Sequence, residues 1–388
     1  MRKALLRFPI LTSVLFSVVA SYPLFLASAY AVRIQEAFGV SKSQWGWAAA
    51  AYFAAGSLGS FQLGKLVDRF GTRFGGLVAS VGGAASLLII GVTTRHWGVV
   101  VVALALTGFS NVAGQVAGNR IVGAYVDTER QGVGFGAKQA AVPLGALVAG
   151  LVAVLAVTTG VEWRIVFLLS AMGSLGLAVV APEFGAVLPE DQRSVTGVGA
   201  DARCLVALSI AGALFGATGN ALAVLVVDAF ETVGYSQSAA AGVLAFGSAA
   251  AIVGRVLIGW IVDRRGTNGY SELIVIVVMG VIGFATLTFA GASVPLLAIG
   301  VALGFAAGWG WPAIIYLVTA RNSTAPPATS TGFVITGVFF GAVIGPPLLA
   351  TVAERFSYPA AWATAALMAA AGIVGIVLSR AWSVVQPS

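Results

Sequence analysis

Long uncharged apolar runs recur along the whole chain, each closed by a short polar stretch with charges, glycine or proline. A bilayer span takes about 20 apolar residues, and lipid leaves no backbone group unpaired, so each run is expected to be a helix. The first six runs cover 8–32, 45–63, 74–94, 97–119, 133–158 and 164–181. A polar stretch follows from Pro182 to Arg203, holding Glu183, Glu190, Asp191, Arg193 and Asp201. Six more runs cover 204–228, 237–259, 272–290, 294–318, 330–351 and 359–379. The first run follows Met1-Arg2-Lys3 and passes Ala27-Ser28-Ala29, the outline of a signal peptide. It exceeds the usual signal core of about 7–15 residues and is read as the first span. The pattern predicts an all-α membrane protein of twelve transmembrane helices in two six-helix halves, 1–181 and 204–388, joined by 182–203.

Composition agrees and narrows the function classes. Of 388 residues 59% are hydrophobic and 9% charged, at a mean hydropathy of +0.98, more apolar surface than a soluble fold hides. The 50 glycines suit close helix approach in lipid. The net charge of +7 is scattered over short loops rather than gathered into a nucleic-acid patch. The single histidine, His96, excludes a His-based triad or zinc site, and the single Cys204 excludes an internal disulfide. No metal or other cofactor is expected. With the N-terminus cytoplasmic, fourteen basic residues fall on that side and five on the other, which places both ends and the 182–203 stretch in the cytoplasm.

Two decapeptides punctuate the halves. Gly64-Lys65-Leu66-Val67-Asp68-Arg69-Phe70-Gly71-Thr72-Arg73 and Gly259-Trp260-Ile261-Val262-Asp263-Arg264-Arg265-Gly266-Thr267-Asn268 share six of ten positions at an offset of 195 residues. Each reads as a charged hinge between apolar runs, with glycine allowing a sharp reversal and acid suiting a nearby helix N-terminus. The repeat continues in Gly108-Phe109 and Gly304-Phe305, and in Gly134-Phe135 and Gly332-Phe333. The hinge resembles the Gly-x-x-x-Asp-Arg-x-Gly-x-Arg signature of the major facilitator superfamily. That resemblance implies two parallel six-helix repeats, a substrate near mid-membrane between them, and a gating role for Gly64, Asp68, Arg69, Gly71, Arg73, Gly259, Asp263, Arg264 and Gly266. Asp68 is expected to face the start of the eleventh helix and a basic partner such as Arg120.

Ionisable groups inside a span are costly and usually face a cavity. Only Lys138 and Arg255 lie clearly within, and all 14 acids fall in loops or at span ends. A cationic centre without a buried acid invites an anion. Arg255 sits eight residues before Asp263, with Ala251 and Gly259 one turn either side. This resembles the eighth helix of monocarboxylate transporters, where such an arginine contacts the substrate carboxylate. Ala251 stands where that family has an acid, and the first helix offers no counterpart of its lysine. Gly136-Ala137-Lys138-Gln139-Ala140-Ala141-Val142-Pro143-Leu144-Gly145 resembles the fifth helix of bacterial cyanate-permease-like and organic-anion facilitators. By repeat, Lys138 corresponds to about Thr336 and Arg255 to Ser60. Asn111, Gln115 and Asn119 form one helical stripe, Trp311 aligns with Gln115, and Asn220 and Tyr30 are further polar candidates. The expected substrate contacts are thus Arg255, Lys138, Gln139, Asn111, Gln115, Trp311, Asn220 and Tyr30. The reading is a monomeric, non-enzymatic secondary transporter of a small organic anion in the cell membrane, with a coupled proton or counter-anion. The alternative is a proton-coupled multidrug or metabolite exporter of the same superfamily.

Overall fold

The structure is a computed structural model that describes residues 8–93, 95–180, 202–291 and 293–383. Apart from Ala202 and Arg203, which open a helix, the expected connection 182–203 lies outside the described residues. Twelve long helical runs are present among the described residues: α1 (Pro9–Ala29), α2 (Lys42–Phe70), α3 (Thr72–Val92), α4 (Trp97–Tyr125), α5 (Gln131–Thr159) and α6 (Trp163–Val180), then α7 (Ala202–Thr232), α8 (Gln237–Arg265), α9 (Tyr270–Phe289), α10 (Val294–Asn322, interrupted), α11 (Pro327–Arg355) and α12 (Tyr358–Trp382). By length and composition ten of these can cross a bilayer, and α6 adds a shorter apolar stretch.

Several helices run further than the apolar patches that announce them, because polar residues beyond the patches cap their ends. Ser41 and Gln44 close a reciprocal capping box that starts α2 at Lys42. Ser236 and Ser357 cap α8 and α12 in the simpler way. The two decapeptides are accordingly mostly helix. Gly64–Phe70 and Gly259–Arg265 continue α2 and α8, and the chain reverses only at Gly71 (φ +93°) and Gly266 (φ +63°). The first expected run breaks at Tyr30, after which a short helix, Ala31–Phe38, carries the chain on to Gly39.

The tenth run is not one α-helix. Val294–Leu303 passes into a π-helical turn, Gly304–Gly308, then a turn, and resumes at Pro312–Asn322. Three glycines (Gly304, Gly308 and Gly310) weaken the helix there, and Pro312 has no N–H to continue it. Hydropathy carries no trace of such an interruption.

The helices fall into two compact units. Unit 1 lies within Met1–Val126, Ala141–Thr196 and Pro326–Gly332; unit 2 within Asp127–Ala140, Gly197–Ala325 and Phe333–Ser388. In unit 1, α4 packs against α1, α2 and α3, and α3 against α6. Unit 2 repeats this with α10 against α7, α8 and α9, and α9 against α12. Small residues make the approaches close: a methyl at Gly114 would lie 2.7 Å from Ala20 Cβ and 3.0 Å from Ala79 Cβ. Outward positions stay apolar, as in Leu58 (83% exposed) and Phe289 (82%), which suits contact with acyl chains.

Candidate functional site

In unit 1 the Asp68 side chain, at the end of α2, is buried. Its Oδ2 accepts the Thr329 N–H at 2.6 Å and the Thr329 hydroxyl at 2.7 Å, while Arg120 Nε of α4 lies 3.6 Å from Oδ1. Thr329 is the third residue of α11, so the carboxylate satisfies a donor that every helix start leaves open. Arg120 also donates to the Val67 carbonyl at 2.8 Å. The approach needs glycine. A methyl on Gly64 would lie 3.0 Å from Thr329 Cα and closer still to the Ala328 carbonyl oxygen.

Unit 2 contains the same device. Asp263 accepts the N–H groups of Gly132 and Val133, both at 2.7 Å, and so caps the start of α5. Arg321 Nη2 stands 3.5 Å from Asp263 Oδ1, and its Nε donates to Gln131 Oε1 at 3.1 Å. Arg321 also donates to the carbonyls of Thr267 (2.6 Å) and Thr128. Gly259 and Gly132 face each other: a methyl on Gly259 would lie 2.6 Å from the Gly132 carbonyl carbon. The outer basic residues of the motif differ in setting. Arg69 and Arg264 are exposed, with guanidinium carbons over the rings of Phe70 (5.2 Å) and Trp260 (4.5 Å), and Arg73 is exposed.

The caps also fix the register of the repeat. Asp68 meets Thr329 and Asp263 meets Val133; Gly332 lies against the Ser60 carbonyl and Gly136 against that of Arg255. The equivalence between α5 and α11 is therefore 196 residues, not the 198 that pairs Gly134 with Gly332. The counterpart of Lys138 becomes the buried Val334 rather than Thr336, because cap geometry and not the Gly-Phe pair sets the alignment. The correspondence of Arg255 with Ser60 stands.

Lys138, Gln139 and Arg255 come together in unit 2. Lys138 is 0% and Arg255 3% exposed, so neither snorkels. Lys138 Nζ donates to Gln139 Oε1 at 3.1 Å and lies 5.7 Å from the centre of the Tyr316 ring. Arg255 Nη1 donates to the Gln139 carbonyl at 2.9 Å and Nη2 to the Trp309 carbonyl at 2.8 Å. Its guanidinium carbon stands 4.8 Å from the Trp309 ring centre, and its buried Nε has no hydrogen-bond partner among the described residues. Backbone dipoles and an aromatic face thus supply part of the compensation that a carboxylate would give.

The other polar candidates sit elsewhere. Asn111 and Gln115 join in unit 1, Gln115 Nε2 donating to Asn111 Oδ1 at 3.3 Å and Asn111 Nδ2 to the Tyr52 hydroxyl. Asn119, on the same stripe, is fully buried with no amide partner among the described residues. Trp311 packs on Phe215 (ring centres 5.4 Å apart) with no partner for its indole N–H among the described residues, and Asn220 folds back to the Gly216 carbonyl at 2.8 Å. Tyr30 lies at the end of α1 against Phe167, 5.8 Å between ring centres. Residues absent from the sequence reading are Thr329, Gln131, Tyr52, Trp309 and Tyr316, with Arg321 counted there only as one more cytoplasmic cation. The Pro326-Pro327 pair is a sequence signal for a helix start beside Thr329. The aromatic residues lie in apolar runs, where a polar tip has no periodic signature.

The sequence matches the profile of the Major Facilitator Superfamily over residues 11–279 and again over 208–387. No curated protein sequence matches. Among solved structures, the chain is similar to the human organic anion transporter MFSD10 (TETRAN), with 15% identity, 96% of this chain and 99% of that one covered, and a TM-score of 0.77. It is similar to FucP in its outward conformation at 16% identity, 97% and 99% coverage and a TM-score of 0.75. The proton:xylose symporter XylE, bound to 6-bromo-6-deoxy-D-glucose, shares 14% identity over 96% and 95% of the two chains, with a TM-score of 0.73. At such identities the likeness is one of fold. With the two profile matches together covering residues 11–387 and the two units repeating one helix arrangement, the chain belongs to the major facilitator superfamily and is a multi-pass membrane transporter.

Proposed function

We propose that this transporter moves a small organic anion, carboxylate-like, across the cell membrane by alternating access. It would act as a monomer built of six-helix halves 1–181 and 204–388, with both termini and the 182–203 connection cytoplasmic. Arg255 carries the reading: it is 3% exposed, within a membrane helix, and holds one guanidinium N–H with no partner among the described residues. An arriving carboxylate relieves the cost of a poorly solvated charge and takes two parallel hydrogen bonds from a guanidinium. Lys138 adds positive potential from the same unit. The fold alone does not choose the cargo, since one structural relative is named for organic anions and another for xylose. The test is uptake of radiolabelled monocarboxylates into proteoliposomes, with and without a pH gradient. Arg255→Gln is expected to abolish it, and uptake at the wild-type rate and affinity would overturn the anion reading.

A further inference from the structure

The two carbonyls that hold Arg255 are ones their own helices cannot use. α5 runs on through Pro143. A proline has no N–H, so the carbonyl four residues earlier, that of Gln139, loses its helical donor. Arg255 Nη1 takes the vacant place at 2.9 Å. α10 releases a second carbonyl by a different route: Trp309 follows the π-helical turn, residue 312 is proline, and the helix resumes with Ile314 and Ile315 both bonding Trp311. Nη2 meets the Trp309 carbonyl at 2.8 Å. An unpaired carbonyl inside a bilayer is costly, so these two anchor the guanidinium firmly. They occupy the two terminal nitrogens and leave Nε, buried and without a partner among the described residues, as the donor in reserve.

Resting on the anion reading above, we propose that Pro143 is a positioning residue for the anion site. By freeing the Gln139 carbonyl it fixes the plane of Arg255, so that Nε and the second hydrogen of Nη2 form the edge that receives a ligand. Two parallel donors on one edge fit the two oxygens of a planar carboxylate. A tetrahedral dianion such as sulfate or phosphate can take the same edge with two of its oxygens, but it brings a second charge to be desolvated in a buried site, which favours the monoanionic carboxylate.

A double-mutant cycle in thermal melting of the purified full-length protein tests the first part without any ligand. Arg255→Gln strands both carbonyls and should lower Tm by a few degrees. Pro143→Ala restores an N–H for the Gln139 carbonyl, so in the Arg255→Gln background it should recover part of that loss. If Pro143→Ala changes Tm equally in both backgrounds, Pro143 does not act through Arg255 and the proposal falls, whatever the anion result. The second part uses pyruvate, benzoate, sulfate and phosphate as probes of Tm. Pyruvate or benzoate should stabilise the wild type, bind about tenfold more weakly to Pro143→Ala, as for the loss of one positioning hydrogen bond, and leave Arg255→Gln unmoved. Coupling in the first cycle with no stabilisation by either carboxylate would overturn the carboxylate edge and the anion reading together. Equal stabilisation by sulfate would overturn the carboxylate preference alone.

Discussion

At the scale of single residues, Arg255 and Lys138 are both buried cations, yet they are held in ways that separate their chemistry. Arg255 spends two of five N–H donors on carbonyls in different helices, a fork that an ammonium cannot span. Arg255→Lys should therefore lose transport of a monocarboxylate by about a hundredfold while keeping the charge. The contacts of Lys138 include the Gln139 amide oxygen and the Tyr316 ring, both of which a guanidinium can also engage. Lys138→Arg is expected to be milder than Arg255→Lys in the same uptake assay, and the opposite order would show that the lysine is the primary anion ligand. That these two residues matter was legible from sequence, because charge inside an apolar run is conspicuous. Their shared partner, Gln139, was legible only as a neighbour of Lys138. Its use through the backbone depends on which turn of α5 lies beside α8, and apolar periodicity does not encode that.

Helix ends carry the next level of organisation. Each hinge acid closes the first turn of a helix from the other half of the sequence, Asp68 on α11 and Asp263 on α5. Asp263→Asn keeps one acceptor for two N–H groups and loses the charge facing Arg321, a cost of about 1–2 kcal/mol by analogy with helix caps. Asp68→Asn should cut transport strongly while leaving expression and substrate binding nearly intact, and normal transport by this variant would reduce the hinge to a turn. Gly259→Ala drives a methyl into the Gly132 carbonyl and should destabilise by about 1–3 kcal/mol, read as a lower melting temperature in detergent. The decapeptides announced themselves in the sequence through identity alone. Their internal anatomy did not: both opening glycines serve helix contact, and only the second glycine of each turns the chain. The break in α10 was likewise invisible, because the glycines that weaken the helix there are uncharged and lie among apolar residues, so they do not end the apolar run.

For the molecule as a whole, the twelve-helix plan was written in the apolar runs, since lipid admits few alternatives for a backbone. The proposed orientation can be checked by cysteine labelling at Lys42 and Arg193 after Cys204→Ser. The background change is conservative: Cys204 is buried, 2.9 Å from the Ser379 hydroxyl, and serine keeps that bond. An impermeant reagent added outside whole cells should reach position 42 alone, and the reverse pattern would invert the orientation. The division into compact units was not legible, because it does not follow the order of the chain. Unit 1 claims Pro326–Gly332 from the second half of the sequence, and unit 2 claims Asp127–Ala140 from the first. Cutting the gene within 182–203 therefore yields two polypeptides that each carry a piece of the other's fold. Neither fragment alone holds the helix start that its own hinge acid caps, so each should be short-lived in the cell, while co-expression of the pair should rescue both. The chain is in this sense a covalent heterodimer of reciprocal chaperones, and split-gene complementation is its natural assay.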